Sequence, residues 1–97
     1  MPEVGIRSSA PGTLAVTGAL VFDSAARALK QAGDLLQKTS HDTLDLGGVT
    51  AADSAGLACV LAVLATARRH GGKLRVVNMP ASLDALARVC EVETLLA

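Results

Sequence analysis

The sequence predicts an α/β fold, a mixed β-sheet with packed helices. Three observations carry that reading. Short strand-like runs alternate with stretches of helical period, in the order strand, strand, helix, strand, helix, strand, helix, and such alternation favours a parallel or mixed sheet. The chain has 97 residues, 51% hydrophobic and 1% aromatic, so its one core is built from Leu, Val and Ala, with Phe22 the sole ring. No linker, internal repeat or low-complexity segment interrupts it, so residues 1–97 read as a single domain.

Val4 and Ile6 alternate with Gly5 and Arg7, which suits a first strand. Ala10-Pro11-Gly12 is a turn signal. Leu14 and Val16 alternate with Ala15 and Thr17, which suits a second strand paired back as a hairpin and ended by Gly18. Asp23 or Ser24 opens a helix with Ala25, Ala28, Leu29, Ala32, Leu35 and Leu36 on one side, and Gly33 weakens it slightly. Lys38 to Asp42 is a polar connection. Leu44 and Leu46 share one face of a third strand, and Asp45 points the other way. Leu74, Val76 and Val77 form a fourth strand, and Asn78-Met79-Pro80 turns the chain. Ser82 caps a last helix with Leu83, Leu86, Ala87 and Cys90 on one face. Val92 to Ala97 is a closing strand or another helical turn.

The stretch from Asp45 to Leu57 organises the rest. It reads as the end of a buried strand, a turn softened by Gly47-Gly48, an acid–hydroxyl pair, and then a strongly apolar helix. Asp53 or Ser54 can cap that helix, because a short side-chain oxygen accepts from the free amides of the first turn. The helix runs to about Arg69, and Gly71-Gly72 stops it.

This long helix is apolar on two sides. Leu57, Val60, Leu61 and Leu64 share the natural core face. The opposite side carries Ala55, Ala58, Cys59, Ala62 and Thr66, where a solvent-facing helix normally shows Lys and Glu. Either the rest of the domain covers that side, or another protein docks on it; small side chains let a partner approach closely, and exposed apolar patches mark interaction sites. The few remaining elements favour docking, with Asp53 and Ser54 at the edge of the contact.

Composition excludes several function classes. Nine basic residues balance nine acidic ones, so no basic field draws in nucleic acid, and no aromatic platform stacks bases. Met1-Pro2-Glu3-Val4 lacks the layout of a signal peptide. The apolar run from Ala55 to Ala67 is shorter than a bilayer span and is closed by Arg68, Arg69 and His70. Cys59 and Cys90 form no CxxC pair, and reduced thiols in a cytoplasmic domain are the expectation. His41 and His70 have no Cys or carboxylate at ligand spacing, so no metal is expected. Ser54 lacks a Gly-x-Ser-x-Gly context, and Gly47-Gly48 is no P-loop. No catalytic residue and no cofactor is expected.

Asp53-Ser54-Ala55-Gly56-Leu57, after Leu44-Asp45-Leu46, resembles the signature of STAS domains: Asp, then Ser or Thr, a small residue, and Gly-Leu at the start of the second helix. Thr17-Gly18-Ala19-Leu20 is similar to the family's earlier Gly-x-Leu turn, and the likeness spans nearly the whole chain. It implies the small anti-sigma factor antagonist-like fold. In the antagonist branch the hydroxyl at the Ser54 position is phosphorylated by a partner kinase, but the turn there typically reads Gly-Glu-Leu-Asp. Here Gly18-Ala19-Leu20-Val21 lacks both acids. The apolar turn to Phe22, the last helix from Pro80 to Val89 and the tail Val92-Glu93-Thr94-Leu95-Leu96 look more like the MlaB branch, small cytoplasmic subunits of Mla phospholipid ABC transporters. That resemblance implies a non-catalytic subunit that binds an MlaF-type ATPase, within a complex with permease and substrate-binding subunits. It also implies membrane association only through that complex, and a part in outer-membrane lipid asymmetry. In isolation a free apolar face could pair with a second copy.

Overall fold

A computed structural model describes residues 4–96; Met1-Pro2-Glu3 and Ala97, on which the reading of the N-terminus and the last tail residue rests, lie outside them. Strands β1 (Gly5–Ala10) and β2 (Thr13–Leu20) form the expected antiparallel hairpin. Its turn passes through Gly12 at φ +78°, a left-handed conformation that glycine adopts without steric cost. Helix α1 (Phe22–Lys38) crosses to β3 (Thr43–Ala52), and α2 (Ser54–Arg69) crosses to β4 (Arg75–Val77). Both crossovers return parallel strands, so the sheet is mixed and ordered β1-β2-β3-β4. Helix α3 (Ala81–Val89) follows, and a 3-10 turn over Glu93–Leu96 resolves the tail as helical rather than strand.

The sheet has one covered face. Leu14, Val16, Leu44 and Leu46 are buried, while their neighbours Thr17 and Gly47 are exposed, the alternation of a sheet packed on one side. Helices α1 and α2 pack together over that face, with α3 against α2 and β3. The core is aliphatic, as composition requires; Leu14, Leu20, Leu44, Leu46 and Leu83 are its largest fully buried members. Phe22 takes no part in it and is 79% exposed.

Four boundaries differ from the sequence reading. Gly18 does not end β2: it sits inside the strand at φ +86°, where the register with β3 shifts. Gly47-Gly48 is not a turn, because β3 runs through it to Ala52 with two register irregularities. A Cβ on Gly48 would lie 2.7 Å from Thr17 Cγ2 and 3.0 Å from the Val16 carbonyl. The glycine therefore marks a bulge where two strands approach closely. Neither Asp23 nor Ser24 is the N-cap of α1; Val21 is. Ser24 lies buried inside the first turn, where its Oγ donates to the Ala19 carbonyl at 2.7 Å and accepts from Val21 N at 3.0 Å. Ser82 likewise lies inside α3, whose cap is Pro80; the extended backbone imposed by proline starts the helix without a side-chain bond.

Candidate functional site

The ends of β2 and β3 carry the N-termini of α1 and α2 side by side, and Asp53 ties them together. It is the N-cap of α2, and its Oδ1 accepts from Gly56 N at 3.0 Å. Its Oδ2 accepts from Phe22 N at 3.1 Å, in the first turn of α1. One carboxylate thus satisfies an orphan amide on each helix. The Gly56 bond, and secondarily the Phe22 bond, hold the Asp53 carboxyl below its ordinary value against the opposing effect of desolvation.

Gly56 explains the spacing of the motif. A Cβ there would lie 2.1 Å from the Leu20 carbonyl oxygen, a distance no side chain tolerates. Only glycine lets α2 start directly over the end of β2. Leu57 then reaches the core, 4% exposed.

Between the cap and the packing glycine, Ser54 is the first residue of α2 and is exposed. Asp53, not Ser54, caps the helix, so the serine hydroxyl is left to solvent or a partner. Beyond Ser54 the helix has no charge until Arg68. Its open face carries exposed Ala58 and Ala65, flanked by half-buried Ala55, Leu61 and Ala62. Phe22 projects at the start of α1, whose backbone amide is bound to Asp53. The α2 residues form an apolar strip along that helix, and Phe22 stands at the start of the neighbouring α1, where the carboxylates of Asp23 and Asp53 also lie.

One member of the sequence-predicted face sits differently, and another bonds within its helix. Cys59 is buried at 5% exposure, with Sγ 3.4 Å from the Ala25 carbonyl of α1. Desolvation pushes its thiol up to about 11. Half-buried Thr66 turns its hydroxyl back to the Ala62 carbonyl at 2.9 Å, the local bond typical of helical Thr. The core side is correspondingly displaced toward α1: Gly56, Cys59, Val63 and Ala67 join Leu57 and Val60 inside, while Leu61 and Leu64 are half-buried. Phe22 is the residue that helical periodicity misses, because it precedes the apolar stripe of α1.

Other polar groups have structural partners. Buried His41 bonds Ser8 Oγ through Nε2 at 2.8 Å and the Thr39 carbonyl through Nδ1 at 3.0 Å. Asp45 Oδ1 accepts from Gly47 N at 2.8 Å and Asn78 Nδ2 at 3.0 Å, and those bonds, Gly47 first, lower its carboxyl. Among the described residues no group of three or more His, Cys, Asp and Glu is placed to hold a metal, and no helix is long and apolar enough to cross a membrane.

The family model described as "Mlab, STAS domain" matches residues 6–97. No curated protein matches the chain closely enough to count as a relative. Among solved structures, a putative anti-sigma factor antagonist from Thermotoga maritima is similar at TM-score 0.75 and 16% identity, over 96% of this chain and 82% of that one. The Bacillus cell fate determinant SpoIIAA in its phosphorylated form is similar at TM-score 0.67 and 12% identity, over 94% and 86%. The murine solute carrier 26 family member A9 anion transporter is similar at TM-score 0.57 and 18% identity, over 86% of this chain but 14% of that much longer one. At these identities the likeness is one of fold.

Proposed function

This chain belongs to the STAS family, in the group described as MlaB STAS domains, and from that premise we propose that it is a non-catalytic docking subunit of an Mla-type phospholipid ABC transporter. Its partner is the MlaF-type ATPase, and the complex holds it on the cytoplasmic side of the inner membrane, supporting assembly and activity in phospholipid trafficking. The observation that carries this reading is the uncharged strip at the start of α2, where Ser54 and Ala58 are exposed, together with a Phe22 that is 79% exposed at the start of α1. An exposed ring at the start of one helix and a smooth alanine surface on the helix packed against it have the make-up of an interface, aromatic at the anchor and poor in charge. Asp23 and Asp53 at its rim suit a partner with basic residues around an apolar pocket. The contact set is Ser54, Ala55, Ala58, Ala62 and Thr66 with Phe22, and Asp53 acts by holding the two helix starts; buried Cys59 falls outside it.

A second reading is favoured by Ser54 itself. An exposed hydroxyl at a helix N-terminus can accept a phosphate, which the helix dipole welcomes and Asp53 repels. That is the arrangement an anti-sigma factor antagonist would use. The acid-free turn Gly18-Ala19-Leu20-Val21 favours the transporter reading. Co-purification with a Mla-type ATPase, run beside an anti-sigma factor kinase, separates them. Retention of the ATPase and no phosphate transfer to Ser54 is the expected result; phosphorylation of Ser54 with no ATPase retained reverses the assignment.

A further inference from the structure

The formal charge is zero, yet the charges are segregated. Helices α1 and α2 run side by side in the same direction, so both C-termini lie at the edge where β2, β3 and β4 begin. Lys38 closes α1, Arg68 and Arg69 close α2, and Lys73 and Arg75 lead into β4. All five are exposed. None is among the ion pairs of the molecule, which join Lys30 to Asp34 and Arg88 to Asp84 within the described residues. Among the described residues, Asp42 accepts from Thr43 Oγ1 at 2.9 Å at this end, and Asp34, one turn before the end of α1, is paired with Lys30. The two negative helix ends offset part of the positive field, about half a charge each, and leave a clear excess. The charge balance that argues against a basic field thus hides a cationic pole. Between the helix ends lies a shallow polar cavity of about 310 Å³, lined in part by Lys38, Thr39, Ser40, His70 and Gly72.

We propose that this pole contacts the anionic headgroups of a phospholipid membrane. Exposed Lys and Arg without aromatic neighbours, of which Arg69 donates to Thr66 Oγ1 at 3.0 Å, suit a fluid layer of phosphates better than a nucleic acid, which would call for stacking surfaces or a groove. Each such residue at an anionic leaflet strengthens partitioning about fivefold, so five give weak, salt-sensitive binding. The pole lies about 24 Å along α2 from Ser54, so a subunit held by its docking strip presents the opposite end to the lipid. The choice of lipid as the anion rests on the transporter reading; the cationic pole itself does not.

Sedimentation of the isolated chain with vesicles of equimolar phosphatidylglycerol and phosphatidylcholine tests this without the ATPase. Retention at about 0.01 M salt, loss at about 1 M, where the screening length falls from about 30 Å to about 3 Å, and no retention on pure phosphatidylcholine are expected. The double variant Arg68→Glu, Arg69→Glu lowers retention at least tenfold in a chain that still melts cooperatively. Absence of retention on the anionic vesicles, equal retention of the charge-reversed variant, or tighter binding to a single-stranded oligonucleotide overturns the proposal. None of these outcomes bears on ATPase docking, which fails only by its own assay.

Discussion

At the scale of single residues, Asp53 and Gly56 set the geometry of the site. Replacing Asp53 with Ala removes the acceptor for Gly56 N and Phe22 N, and Tm is expected to fall by about 5 °C in a thermal melt. The charge has its own signature. Because the folded Asp53 carboxyl lies below the ordinary value of 3.8, its contribution is fully present above that value and is lost as pH falls through the lower folded one. The Tm difference between the wild type and Asp53→Asn, which keeps a capping oxygen, is therefore expected to be largest near neutrality and to close under acid. A gap that persists unchanged at low pH contradicts the charge argument. For Gly56→Ala, the helix propensity of Ala favours the change by about 1 kcal/mol. The contact at 2.1 Å with the Leu20 carbonyl opposes it, forcing a backbone shift with a cost of about 1–3 kcal/mol or more. We expect net destabilisation by chemical denaturation; a more stable variant would mean that α2 does not sit on β2 in this way. The two cysteines differ similarly. Cys90 is exposed and Cys59 buried, so iodoacetamide is expected to label Cys90 in the native protein and Cys59 only on unfolding.

Elements show where the sequence was legible. The hairpin, the three helices and a cap at Asp53 or Ser54 follow from alternation, helical spacing and turn chemistry, which are local properties; the fold gives the cap to Asp53. Gly47-Gly48 resists such reading because paired glycines serve equally as a turn or as a bulge. The choice is made by Thr17, about thirty residues away in sequence, whose backbone and methyl press on Gly48. The open side of α2 was legible as a pattern of small residues, but its centre was not. Cys59 and Ala58 are neighbours in sequence, and the placement of α1 over one edge buries the first and leaves the second exposed. Phe22 carried no periodic signal, since it stands before the stripe of α1. Its removal tests the element: Phe22→Ala is expected to change stability by less than about 0.5 kcal/mol while weakening partner binding by more than about 1 kcal/mol.

On the scale of the whole molecule, the fold separates two surfaces by the length of its helices. One end, where α1 and α2 begin, carries the ring and the carboxylates of Asp23 and Asp53; the other, where they finish, is cationic. A single sheet covered by helices on one face fixes that separation. The docking strip carries the proposed function, and the affinity of this chain for an Mla-type ATPase, measured for the wild type and Ala58→Glu, tests it most directly. Ala58 is exposed, so the variant is expected to keep its Tm and lose at least tenfold in affinity through a charge buried at the contact. An Ala58→Glu chain that folds normally and binds the ATPase as tightly as the wild type would contradict it.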